Sequence, residues 1–374
     1  MIRLERIALR EIRLPLKAPF RISSGVVTER RVLLVELESA EGVRTWAESV
    51  AFERPNYSPE TIDTAWMALR DWVAPRVLGQ SLDDPAAVHP LLEKDFRGHR
   101  MAKATVEMGV WALAAAQDGV SLARRLGGER NRIPVGVSLG IQATPDALVE
   151  HASDAARAGY HKIKLKIQPG ADIEFVAAVR AALPAAPLMV DANNAYTLAD
   201  TEHLAQLDAF DLIMIEQPLE HEDLVRHATL QQRLRTPVCL DESITSVHRA
   251  EDMITLGSGR IVNIKPGRVG GFASSLAIHD LCRRNDVPVW CGGMLETGVG
   301  RAYNVALATL PGFTIAGDLS PSARYWQRDI VSPEWTMDDA GMVDVPVDRP
   351  GLGVTVDEGR IEDLTVRREV MAAR

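Results

Sequence analysis

Five charged residues recur along the chain at near-constant spacing: Lys166, Asp191, Glu216, Asp241 and Lys265, separated by 25, 25, 25 and 24 residues. Each closes a short apolar run rich in β-formers, namely KIKLK, PLMVD, DLIMIE, PVCLD and IVNIK. A strand, a returning helix and two loops occupy roughly 25–30 residues, the unit of a (β/α) barrel, which carries its functional side chains at the C-terminal ends of its strands. Five consecutive strands thus deliver one charge each to one mouth, in the order +, −, −, −, +. Three carboxylates between two lysines make a metal site with a base on either side. A single charge at a strand end is ordinarily a solvated loop residue or a helix cap. Five in register are not, because loop charges have no reason to keep the barrel period.

The 374 residues exceed the roughly 250 of a bare barrel. Residues 1–125 do not follow the barrel rhythm. Two strands, at 2–20 and 31–39, are joined through a mobile tip at Ser23, Ser24 and Gly25, and helices follow from Pro59 to about Leu78, from Pro85, and through MAKATVEMGVWALAAAQ. Strands and then helices, without alternation, predict an α+β capping domain over 1–125. The barrel occupies 126–324, starting near Ile133 and ending with strands seven and eight at VPVWCGG (287–293) and FTIAGDL (313–319). A tail rich in Pro and Asp, 325–374, returns to the capping domain. The fold class expected is α/β, with both parts folding as one unit.

Composition excludes several function classes. With 46% hydrophobic and 25% charged residues the chain can bury a sizeable core. A net charge of −9 argues against nucleic acid or an anionic membrane as partner. There is no run of 18 apolar residues and the first ten are charged throughout, so a soluble cytoplasmic protein without membrane span or signal peptide is expected. Cys239, Cys282 and Cys291 form no CxxC, and Cys239 and Cys291 read as buried hydrophobes.

The chemistry begins on the second barrel strand. Alternation along KIKLK puts Lys162, Lys164 and Lys166 on the barrel interior and Ile163 and Leu165 against the helices. A partly desolvated lysine beside other cations loses pKa and becomes a usable base. Lys166, at the strand end, is the candidate base and Lys164 its neighbouring cation, while Lys162 reads as structural or solvated. Asp191, Glu216 and Asp241 offer only oxygen, which favours magnesium, with manganese in its place, over zinc. Asn193 and Glu242 stand close enough in sequence to steady a ligand or a water. His248 and Glu251 read as a solvated helix face. The glycine clusters lack the spacing of a phosphate loop.

These residues, with GHRMAKATVEM, VGVSLGI, VDANNAYTL, IEQPL, CLDES, NIKPGRVGG and VWCGGMLETGVGRA, resemble the enolase superfamily. The likeness is to the muconate-lactonizing subgroup and, within it, to the N-acylamino acid racemase / o-succinylbenzoate synthase family. The resemblance implies a capping domain on a modified (β/α)7β barrel. It also implies magnesium on Asp191, Glu216 and Asp241, and an acid/base pair at Lys166 and Lys265 that acts through an enediolate. The substrate it implies is a small carboxylate, either an N-succinyl amino acid or the o-succinylbenzoate precursor, and the assembly a homo-oligomer.

Two lysines on opposite faces of the α-carbon would racemise. One base suffices for the dehydration used in menaquinone biosynthesis. Arg268, three residues after Lys265, could tune that lysine and leans the reading toward racemisation; its alternative is a surface arginine. Dipeptide epimerisation fits less well, because Asp318-Leu319-Ser320 lacks the second carboxylate of the Asp-x-Asp that holds an ammonium in that branch. Ser138, Asn193, Gly293 and Met294 are the candidate substrate contacts, the last two through backbone donors. Phe20 and Tyr57 would close over the mouth with the capping loop.

Overall fold

The computed structural model describes residues 1–22 and 25–373. Ser23 and Ser24, assigned above to the capping tip, lie outside the described residues; Gly25 opens the second strand. Strand β1 (Ile2–Ile22) runs antiparallel to β2 (Gly25–Ser39), which pairs in turn with β3 (Arg44–Ser49). The β1–β2 register slips between Pro15 and Phe20, where a proline cannot donate to the ladder. Both faces of β2 are buried over 32–37, one beneath the helix Arg100–Gln117, which is itself buried from Met101 to Ala115. The contact is close: a Cβ on Gly109 would lie 2.6 Å from Leu37 Cδ1. The helical stretch expected up to Leu78 is Ile62–Val77, widened to a π turn over Leu69–Val73. Pro75 has no N–H to return to Asp71, which accounts for the wide turn.

Seven parallel strands follow in sequence order: β4 (Gly136–Leu139), β5 (Lys162–Lys166), β6 (Leu188–Asp191), β7 (Ile215–Glu216), β8 (Val238–Leu240), β9 (Ile261–Ile264) and β10 (Val289–Cys291). Two expectations need correction. Ile133 is not in the first barrel strand, because Arg132–Pro134 pairs with Met342–Asp344 of the tail, antiparallel. The eighth stave, 313–319, is not a continuous strand. It closes the barrel through two single bridges, Phe313 with Val289 and Gly317 with Val135. Gly317 is pressed against β10, where an added Cβ would meet Cys291 O at 2.7 Å. The tail does return, as β11 (Thr365–Ala372), antiparallel to β1 from Arg6–Ala372 to Ile12–Thr365.

Register places the ladder. Lys166 pairs with Asp191 and Asp191 with Glu216, so three rungs stand side by side at one height. A single apolar cluster runs from Ile2 to Ile361 through both parts of the chain. Phe272 is a hinge of that continuity, fully buried with its ring 6.3 Å from Trp111 and 5.9 Å from Tyr303. Among the described residues no helix is long and apolar enough to cross a membrane. Phe272→Ala should destabilise the protein by about 3–5 kcal/mol, lost in one cooperative denaturant transition because the cluster spans both parts. Two separate transitions in the parent protein would contradict a shared core.

Candidate active site

The barrel interior is layered. At the bottom Met189, Met214, Cys239, Ile261 and Trp290 form an apolar plug. Lys162 sits directly on it, 0% exposed, with Nζ 3.3 Å from the Trp290 ring centre and 3.1 Å from Asp318 Oδ1. The solvated reading of Lys162 is therefore wrong and the structural one right. Burial lowers its pKa, against the pull of Asp318. One layer up, Lys164 Nζ lies 2.5 Å from Asp318, 3.1 Å from Glu216 and 3.3 Å from Asp191. Burial disfavours its charge, but these three carboxylates outweigh that and hold its pKa well above the ordinary lysine value. Asp318 is pushed up by burial and pulled down further by Lys162 and Lys164, ending well below the carboxylate range.

The top layer holds the remaining rungs. Lys166 Nζ donates to Asp191 Oδ2 and Asn193 Oδ1, both at 2.6 Å. Across the mouth Lys265 Nζ donates to Asp241 Oδ2 at 2.7 Å and lies 4.5 Å above the Tyr57 ring. The other oxygen of Asp241 accepts from Tyr57 Oη at 2.9 Å and from Arg268 Nη1. Arg268 is 4% exposed and also donates to the Ile244 and Asn263 carbonyls, which rules out a surface arginine. At Lys265 burial and charge compete. Burial pulls its pKa down, but Tyr57, Glu216 and Glu242 leave it raised.

Glu216 accepts from Asn263 Nδ2 at 2.7 Å, and Glu242 from Asn193 Nδ2 at 3.2 Å. Gln217, buried with φ at +37°, accepts from the Asp241 and Ser243 backbone N–H groups and fixes the loop after β8. Sequence reasoning missed Asn263 and Gln217 and placed Tyr57 only loosely. Asn263 had a usable signal, since it shares the inward face of β9 with Lys265 by alternation. Gln217 and Tyr57 had none.

Among the described residues no three carboxylate, imidazole or thiolate groups converge as a ready cage, because lysines and Arg268 occupy their oxygens. The donor chemistry nonetheless fits a hard divalent cation. Asp191 and Glu216 are buried side by side; burial and then the charge of Asp191 push the Glu216 carboxyl up, a repulsion that a cation between them would relieve.

Above this layer opens a cavity of about 420 Å³, into which Lys164, Lys166 and Lys265 all face. Ser138 lines it, and among the described residues its buried Oγ has no protein partner, which leaves it open to a ligand. Gly293 lines it too, and a Cβ there would lie 2.6 Å from Asp318 O. The Met294 N–H is not a free donor, since it binds Glu296 Oε1 at 2.8 Å; Met294 contributes a wall instead. Gly25, Phe20 and Tyr325 complete the rim, the two rings edge-on at 6.5 Å. Two lesser expectations also hold. His248 and Glu251 are exposed at 3.6 Å, and Cys239 and Cys291 are buried.

Comparison with known proteins agrees with this geometry. Residues 6–127 match the mandelate racemase / muconate lactonizing enzyme N-terminal domain, and 147–360 the enolase C-terminal domain-like family. The chain is 47% identical over 370 residues to o-succinylbenzoate synthase of Bacillus subtilis, covering 99% of each. It is 45% identical over 368 residues to N-succinylamino acid racemase of an Amycolatopsis species, covering 98% of this chain and 99% of that one. A crystal structure of an enolase-superfamily member from Listeria innocua superposes with a TM-score of 0.96 at 39% identity, covering 100% of both chains. The capping sheet on a parallel barrel is thus shared along the whole length, and this chain is an enzyme of the mandelate racemase / muconate lactonizing branch of the enolase superfamily.

Proposed function

We propose that the enzyme racemises N-succinyl amino acids and also dehydrates the o-succinylbenzoate precursor, by removing a proton α to a carboxylate. The observation that carries this is the placement of Lys166 and Lys265 on β5 and just past β9, across one cavity, each against its own carboxylate. Asp191, Glu216 and Asp241 would hold magnesium, or manganese in its place, with Asn193 and Glu242 behind them. The bound cation supplies positive charge to the substrate carboxylate as the α-proton leaves.

Lys164, kept protonated by three carboxylates, adds fixed positive charge below the reacting carbon. In racemisation one lysine amine takes the α-proton from one face and the ammonium of the other lysine gives a proton to the opposite face. In dehydration Lys166 alone removes the proton and returns it to the departing hydroxyl, with Lys265 contributing charge. Asp241 ties Lys265 to Arg268, an arrangement that one-base chemistry does not require. An ammonium-bearing dipeptide is disfavoured, since Asp318 is spent on Lys162 and Lys164 and Ser320 Oγ donates to the Gly136 carbonyl.

Three outcomes are expected. Asp191→Asn, Glu216→Gln and Asp241→Asn should each lower turnover on the order of 10³-fold and weaken magnesium binding in calorimetry. Full activity after exhaustive chelation would exclude the cation. Lys265→Ala should abolish racemisation in both directions yet leave α-proton exchange of one enantiomer in deuterated water, whereas interconversion at the parental rate would remove Lys265 from acid/base work. Arg268→Gln should depress racemisation roughly tenfold more than dehydration, the equivalent of about one pKa unit at Lys265. Equal losses in paired kinetics on one preparation would return Arg268 to a packing role.

A further inference from the structure

The two lysines are anchored by different means. Lys166 is followed by a helix, Ile173–Ala182, whose first N–H is capped by the adjacent Asp172 at 2.7 Å. The helices at Pro145, Val225, Val247 and Gly298 likewise take caps from Thr144, Asp223, Ser246 and Thr297 close by in sequence. Past a single turn at Pro266–Val269, the long helix that follows Lys265, Phe272–Arg284, has Gly271 at its cap position and so no side chain of its own to offer. Its cap comes from Glu107, 165 residues earlier on the Arg100–Gln117 helix of the N-terminal part. Glu107 Oε2 accepts from Phe272 N at 2.6 Å and Oε1 from Ala273 N at 2.9 Å. Trp111 Nε1 holds the same carboxylate at 3.0 Å.

The stretch between Lys265 and that cap is short and tightly folded. Lys265 O accepts from Arg268 N and Val269 N, and Gly271 N donates to Pro266 O. It is also moulded to the N-terminal part at two points. A Cβ on Gly271, which has φ +113°, would lie 2.2 Å from Glu107 Oε2, and one on Gly267 would lie 2.3 Å from Val50 Cγ2. Both glycines are required by close approach, and both contacts bear on the six residues that carry Arg268 and set the direction of Lys265.

We infer that Glu107 is a positioning residue for Lys265 and Arg268, acting through residues 266–271, so that the N-terminal part of the chain sets the aim of one base and not of the other. The inference rests on the two-base reading above. A carboxylate at a helix N-terminus satisfies orphan N–H groups and favours the helix dipole. Glutamine in its place loses the charge and turns an amide N–H toward backbone donors. The connector is then free to shift, and small displacements of a reacting group cost rate steeply.

The test uses α-proton exchange in deuterated water, measured separately for each enantiomer of an N-succinyl amino acid. Lys166→Ala and Lys265→Ala assign which enantiomer each lysine serves. In Glu107→Gln, exchange on the Lys265 side should fall at least about tenfold more than on the Lys166 side. Equal loss on both sides, or no loss, overturns the inference while leaving the two-base reading intact. A parent enzyme that exchanges neither enantiomer overturns that reading and the inference with it. Should Glu107→Gln fail to fold, Trp111→Phe decides the matter. It keeps the ring packing and deletes one hydrogen bond to Glu107, and it must show the same one-sided loss, about twofold or more; a symmetric effect refutes the role.

Discussion

A buried ammonium or carboxylate costs several kcal/mol unless an opposite charge and hydrogen bonds answer it. The barrel interior meets that constraint by building a closed lattice of ion pairs. Asp191, Glu216, Asp241 and Asp318 pair with Lys162, Lys164, Lys166, Lys265 and Arg268, and Glu242, held by Asn193, adds a fifth carboxylate that acts on Lys265 without an ion pair. Every other feature of the mouth follows from keeping this lattice closed. Strand register brings Lys166, Asp191 and Glu216 to one height, and the apolar plug around Trp290 seals the lower end so that the charges are screened by one another and not by water.

The lattice also engages the nitrogens of both Lys166 and Lys265 with carboxylates. The neighbours of Lys265 hold its pKa up, and its ammonium occupies an oxygen of Asp241 that a cation bound as proposed would use. A dicarboxylate entering the cavity brings negative charge to a balanced site, which only an added cation can offset. Substrate and divalent cation are therefore expected to bind with positive coupling, each supplying the charge the other requires.

How much of this was legible in the sequence depended on range. The ladder was readable because a barrel repeats at a fixed interval, and alternation along KIKLK put three lysines inside, where Trp290, Glu216 and Asp191 now meet them. Alternation also reached Asn263, though it went unused. The Lys162–Asp318 pair joins positions 156 residues apart across the barrel, with no local trace in either strand. Tyr57 meets Asp241 and Arg268 across 184 and 211 residues, and Glu107 reaches Phe272 across 165. Those contacts arise where one part of the chain docks on another, and no periodicity encodes docking. The pKa direction at Lys265 was unreadable for a related reason: the carboxylates and the phenol that raise it come from other strands and from the N-terminal part.

Docking is also where the two proposed reactions part company. The segment that carries Lys166 is capped by Asp172 six residues on, within the barrel's own repeat. Dehydration needs only that base for proton transfer, and its anchor lies within the barrel. Racemisation needs a second base at a matching distance on the opposite face, and the residues that fix Lys265 lie outside the repeat: Val50 against Gly267, Glu107 against Gly271, Tyr57 against Asp241. Glu48 fastens the following helix in the same manner, through Thr297 and Gly300. A capping structure that only closed over substrate would have no need of these buried anchors beneath it. On the two-base reading, their position makes the proton transfer at Lys265 more sensitive to the interface between the two parts than the transfer at Lys166.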